Sequence, residues 1–140
     1  MNQSEMKLIA RYAETDRMGI VHHSHYAVWF EAGRTDFLKK AGVSYSSLEA
    51  MGFMLPLYEM NCKFKSPAEY EDEILVITKI SFMSPVRLHL SYQVINSANS
   101  KLLVTGETMH AWTDKTFKPV NAQKAIPEIY LMLNRIYAEE

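Results

Sequence analysis

The residue with the most chemical potential in this sequence is Asp16. It stands in the segment TDRMGIVHHSHY, three positions before Gly19 and just ahead of His22, His23 and His25. A carboxylate in such a loop can act as a base or nucleophile if local burial and donors set its basicity. For an arbitrary loop aspartate the default is humbler, the capping of a turn. The histidines raise a second chemistry. His22 and His25 could share a helical face, with Asp16 adding an oxygen ligand. A closed zinc site needs four ligands and a catalytic one needs three plus water. His89 and His110 fall on separate predicted strands, so the set does not close and no metal is expected. Glu31 is the rival carboxylate, on a predicted helix where it can pair with Arg34 or Thr35. Glu59 and Glu107 lie in predicted strands, with nothing to raise them above interface partners.

Several reaction types lack their parts. There is no G-x-S-x-G elbow for a Ser-His-Asp hydrolase. Neither a P-loop nor a G-x-G-x-x-G cradle is present for nucleotides.

The elements that must hold Asp16 follow from periodicity. Lys7 to Tyr12 reads as a short strand, and Thr15 to Ser24 as an irregular loop. Then YAVWFEAGRTDFLKKAG is helical, with Tyr26, Phe30, Gly33 and Phe37 on one apolar face. Ser24 is the expected N-cap and Gly42 the C′ residue. Gly33 inside the helix costs about 1 kcal/mol relative to alanine, which predicts close approach of a neighbouring backbone. Ser44 to Gly52 suggests a second short helix. Leu55 to Phe64, Ile74 to Phe82, Val86 to Ile95 and Leu102 to Trp112 read as strands. In the third, Val86, Leu88, Leu90, Tyr92 and Val94 alternate with polar residues, the pattern of an antiparallel sheet with one buried face. A final helix opens at Pro127 and carries Ile129, Met132, Leu133 and Ile136 as an apolar stripe. This order predicts an α+β domain with the long helix on one face of the sheet. Residues 20 to 25 run into that helix's N-terminus, where unpaired N–H groups and the dipole favour negative charge.

Composition narrows the setting. The 140 residues suit one domain, 1–140, and 48% hydrophobic content can build one core. A single cysteine, Cys62, allows no intrachain disulfide. With net charge −1 and scattered Lys and Arg, no phosphate-neutralising footprint is visible, so no nucleic acid partner is expected. No signal peptide pattern and no apolar run of about 18 residues occurs, which predicts a cytoplasmic protein without a membrane span.

The segment RYAETDRMGIVHHSHYAVWFEAGRTDFLKKAG resembles the hallmark region of the 4-hydroxybenzoyl-CoA thioesterase family. The shared pattern is Asp16, Gly19, the pair Ile20 and Val21, the stretch His22 to His25, then Tyr26, Trp29 and Phe30. The later KFKSPAEYEDEI is similar to the family's second signature, a Pro-containing turn before an acidic strand entry. His22 departs from the pattern, standing where relatives often have a larger aromatic. So does His25, at a position usually small and polar or asparagine. The resemblance implies the hotdog fold: a curved antiparallel five-stranded sheet wrapped around a long central helix, plus a C-terminal helix. It also implies hydrolysis of an acyl- or aryl-CoA thioester. Asp16 would be nucleophile or general base, and the His23 backbone N–H would be the oxyanion donor. Gly19 would permit the tight turn between them. His23 could equally be a structural histidine in its side chain, since the implied role belongs to its backbone. Val21, His22 and Tyr26 are the implied pocket residues, with Tyr58, Met60, Phe53 and Met54 as further candidates for its walls. Lys63 and Lys65, with Arg87 and Lys118 behind them, are candidates for the coenzyme A phosphates. Coenzyme A would be part of the substrate, with no separate cofactor. A second class of hotdog thioesterases puts its carboxylate on the central helix, but the histidine-diglycine turn that precedes it there is absent here. Two alternatives stay open: a non-hydrolytic acyl-thioester binding protein, and a thioesterase acting on acyl-carrier protein. The family also implies a homo-oligomer, dimer or tetramer, that joins edge strands and places the site between subunits.

Overall fold

The computed structural model describes residues 1–139. Strand β1 (Gln3–Ile9) leads through a 3-10 turn (Tyr12–Glu14) and a loop into the long helix α1 (Ser24–Lys40). There follow α2 (Tyr45–Ala50), β2 (Phe53–Met54), β3 (Leu57–Phe64), β4 (Glu73–Met83), β5 (Arg87–Asn96), β6 (Lys101–Ala111) and β7 (Thr113–Asp114). The chain closes with the single turn α3 (Ala122–Ala125) and α4 (Pro127–Ala138). Five strands make one antiparallel sheet in the order β1-β4-β5-β6-β3, and β2 pairs only with β7. This is the hotdog arrangement, α+β, with α1 laid on the inner face of the sheet.

The first strand lies earlier than its expected span of Lys7 to Tyr12. Its inward positions are Ser4, Met6 and Leu8, while Ile9 is 61% exposed. Beyond Ile9 the backbone leaves the ladder, because Arg11 N–H turns to the Glu14 carboxylate at 2.8 Å. The strand expected from Leu55 also starts late. Pro56 has no N–H to give a ladder, so Phe53 and Met54 pair with β7 and β3 begins at Leu57. Val86 was expected on the buried face of β5; it precedes the strand and is 40% exposed.

Tyr26, Trp29, Phe30, Gly33, Phe37 and Leu38 are the buried face of α1. The close approach predicted at Gly33 is real. A Cβ there would stand 2.6 Å from Thr78 Oγ1 and 2.8 Å from Val76 Cγ1, both on β4. Gly106 on β6 does the same for Phe30: a Cβ would lie 2.6 Å from that ring and from Asn61 O. The freed space lets Phe30 stack on Tyr92, with ring centroids 4.4 Å apart and planes 7° from parallel. Gly42 ends α1 at φ +97°, and Val43 N–H closes back on Leu38 O while Gly42 N–H reaches Lys39 O. That pair of bonds is a Schellman cap.

Arg34, expected on the outer side of α1 near Glu31, turns inward instead. Among the described residues no ion pair joins it to Glu31. Its Nε donates to Tyr45 Oη at 2.8 Å and its Nη1 to Tyr92 Oη at 3.2 Å. Tyr92 Oη lies 2.6 Å from Thr108 Oγ1, which lies 2.9 Å from His110 Nε2. His110 Nδ1 meets Leu55 O at 3.0 Å. A carbonyl only accepts, so Nδ1 carries the proton and Nε2 offers its lone pair. Arginine only donates. The direction of every bond is thereby fixed, from Arg34 through Tyr92 and Thr108 to His110.

Candidate active site

Asp16 sits at the first corner of a tight loop. Asp16 N–H donates to Ile20 O and Gly19 N–H to Asp16 O, at 2.9 and 3.0 Å. Gly19 has φ +79° with open space around its Cα, so backbone conformation rather than crowding calls for glycine. Met18 N–H donates to Asp16 Oδ1 at 2.8 Å. The carboxylate therefore does cap its own turn. The cap occupies one oxygen, and Oδ2 has no hydrogen-bond partner among the described residues.

The loop is tied to the turn before β4. Val21 N–H donates to Ala68 O at 2.8 Å, and Ile20 bridges to Glu69. Together they form a cleft of about 320 Å³. Its walls are Asp16, Met18, Ile20 and Val21 on one side and Phe64, Lys65, Ser66 and Pro67 on the other, with His23 and Tyr26 between. Tyr26 is 2% exposed, and its hydroxyl oxygen accepts from Ala68 N–H at 3.4 Å. Burial pushes its phenol pKa up, which keeps it neutral.

The start of α1 differs from expectation in a way that matters. Ser24 is the first residue of the helix, and His23 holds the N-cap position in helical conformation without a side-chain cap. Ser24 Oγ instead meets His22 Nδ1 at 2.8 Å. His25 N–H donates to His22 O, whereas His23 N–H has no acceptor among the described residues. Among the described residues this amide is thus left unpaired at the N-terminus of a 17-residue helix, in a residue that lines the same cleft as Asp16, where the helix dipole favours negative charge.

The predicted pocket residues divide. Val21, His23, Tyr26 and Lys65 line the cleft; His22 does not, since its ring lies against His23 at 4.1 Å. Lys63 faces another way, onto the outer sheet surface with Lys79 and Glu107. Two residues apart in a strand would share a face, but β3 ends at Phe64. Lys65 and Ser66 both donate to Leu103 O, and that turn swings Lys65 to the cleft side. His22 and His25 rings stand 6.5 Å apart and nearly perpendicular, and no cluster suited to a metal occurs among the described residues. Of the strand residues suggested as pocket walls, Phe53 and Met54 line a separate hollow with Tyr45 and Phe117.

Two contributors gave no sequence signal. Phe64 is 56% exposed at the end of β3 and packs on Tyr26 at 5.7 Å. Glu14 is 3% exposed and accepts the Trp29 indole N–H at 2.8 Å, a link across fifteen residues that no local pattern announces.

Comparison with known proteins agrees with this fold. Residues 10–129 match the Thioesterase-like superfamily. A Bacillus subtilis protein named "Putative acyl-CoA thioesterase YneP" is 36% identical over 129 residues, 91% of this chain and 93% of its own. A chloroplastic acyl-acyl carrier protein thioesterase of Arabidopsis thaliana is 27% identical over 87% of this chain and 64% of its own. The crystal structure of a DHNA-CoA thioesterase from Staphylococcus aureus superposes with a TM-score of 0.93 at 32% identity, covering 99% of this chain and 93% of that one. The chain belongs to the thioesterase-like superfamily and is a thioester hydrolase of the hotdog fold.

Proposed function

We propose that the protein hydrolyses an acyl- or aryl-CoA to the free acid and coenzyme A, with Asp16 as its catalytic carboxylate. The supporting observation is the meeting of Asp16 and the unpaired His23 N–H on one cleft. As general base, Asp16 takes a proton from water as its oxygen adds to the thioester carbon. As nucleophile, its own oxygen adds first and water then cleaves the anhydride. In both routes negative charge develops on the carbonyl oxygen, and His23 N–H stabilises it; one such donor is worth about 3 kcal/mol. Collapse breaks the C–S bond, and the thiolate leaves as coenzyme A and takes up a proton.

Val21, Tyr26 and Phe64 supply apolar walls for the acyl group, and Lys65 a cation for the nucleotide end. The block from Asp16 to Phe30 supports the finer likeness to the 4-hydroxybenzoyl-CoA thioesterases and puts aryl-CoAs among the substrates to try. The Arabidopsis relative favours one second reading, an acyl-carrier-protein substrate, which the same assay separates. The setting is cytoplasmic in this reading; no helix of the described residues is long and apolar enough to cross a membrane. A homo-oligomer is supported by β3, an edge strand that exposes Leu57, Tyr58, Met60 and Phe64. Pairing of β3 with its copy would cover that edge and bring a second chain to the cleft, and a monomeric mass in light scattering at micromolar concentration would refute it.

The test is thiol release from a panel of acyl-CoAs and acyl-carrier proteins, with wild type beside Asp16→Asn. Turnover of a CoA substrate, with at least ~100-fold loss in the folded variant, is the expected result. Equal rates in both proteins would move the chemistry to another residue, Glu31 first. Binding without turnover would leave a binding protein.

A further inference from the structure

Glu14 is the one acidic side chain among the described residues that the fold buries, and the reaction above does not use it. A buried carboxylate persists only when donors surround it. Here Oε1 accepts the Arg11 backbone N–H at 2.8 Å, with the Arg11 Nε 3.6 Å away, and Oε2 accepts the Trp29 indole N–H at 2.8 Å. Burial alone would raise its pKa. The Arg11 amide, the indole and the guanidinium outweigh burial and hold it below the ordinary carboxylate range. The same residue acts through its main chain as well, because Glu14 O accepts His22 N–H at 2.8 Å. One residue thus ties the body of α1, through Trp29, to both limbs of the loop. Asp16 is two residues along one limb, and His23 is the next residue on the other. Trp29 in turn packs edge-on to Tyr26 at 5.1 Å, on the cleft wall.

We infer that Glu14 is a positioning residue whose ionised side chain sets the spacing between the Asp16 carboxylate and the His23 N–H. This rests on the roles proposed above for those two groups. They must act on one carbonyl, the first at its carbon and the second at its oxygen, and a displacement of about 1 Å in such a pair can cost ~100-fold in rate. Neither Glu14 nor Trp29 lines the cleft, so the defect belongs mainly in kcat rather than in KM.

Glu14→Gln keeps the shape but sets an NH2 group against the Arg11 or the Trp29 N–H. Trp29→Phe removes the indole donor and leaves the carboxylate in place. The experiment measures kcat, KM and melting temperature for both variants, with Asp16→Asn alongside, at a temperature where each is folded. The expected result is a roughly tenfold to hundredfold loss of kcat in Glu14→Gln with KM within about threefold of wild type. Glu14→Asp, which keeps the charge, should recover part of that loss. Wild-type kcat in a folded but less stable Glu14→Gln, with Asp16→Asn inactive, would overturn the inference and leave Glu14 a stability residue. Should Glu14→Gln not fold, Trp29→Phe decides: reduced kcat at unchanged KM supports positioning, and unchanged kcat overturns it. An active Asp16→Asn is the distinct signature of failure in the underlying reading of Asp16.

Discussion

His110 should make the stability of this protein depend on pH in a window where an ordinary histidine would not. It is 1% exposed, and burial, opposed by the Leu55 carbonyl but helped by the charge of Arg34, lowers its pKa from 6.5 to about 4. The bonds agree, since Nε2 must keep a lone pair for Thr108. A folded-state pKa below the unfolded one means that the unfolded chain binds the extra proton between pH 6.5 and 4. Stability is therefore intact above pH 6.5 and is lost as pH falls toward 4. At about 1.4 kcal/mol per pH unit, the span from 6.5 to about 4 is worth about 3 kcal/mol. Urea unfolding at pH 7 and pH 4.5, for wild type and His110→Gln, isolates this contribution from the background of carboxylates. The variant should be less stable at pH 7, because Thr108 and Leu55 lose their partner. Its further loss on acidification should be smaller than that of wild type by about 2 to 3 kcal/mol. Parallel losses in the two proteins would refute the neutral, bond-locked His110.

Two further tests address packing and substrate. Gly106→Ala should destabilise by about 1 to 3 kcal/mol in urea titrations, because the new Cβ meets Phe30 and a backbone carbonyl at 2.6 Å and neither can retreat cheaply. Lys65→Ala should raise KM for an acyl-CoA about three- to tenfold with little change in kcat, the equivalent of about 1 kcal/mol of phosphate contact. A truncated thioester without the nucleotide should show no such difference, and steady-state kinetics on both substrates checks it.

The order and kind of the elements are legible in the residue pattern alone. Apolar residues at spacings of three and four marked α1, strict alternation marked β5, and Gly42 marked the helix end, because these signals are local and repeat within a few residues. The pattern also holds the Asp16 to Phe30 block, whose family likeness the comparisons bear out at the level of the thioesterase superfamily. Which side chains meet is set by the packing of the layers. Arg34 and Glu31 are three apart on one helix and looked like a surface pair, yet Arg34 finds Tyr92 across 58 residues of chain. Lys63 and Lys65 looked equivalent until the end of β3 sent them to different surfaces. Trp29 belongs to the apolar face of α1, but its contact with Glu14 has no local signature; the loop must fold back on α1 before carboxylate and indole are within 2.8 Å. The physical reason is the same in each case. Propensity and periodicity act along the chain, while buried polar groups take whichever partner the packed layers deliver, and those partners lie far away in sequence.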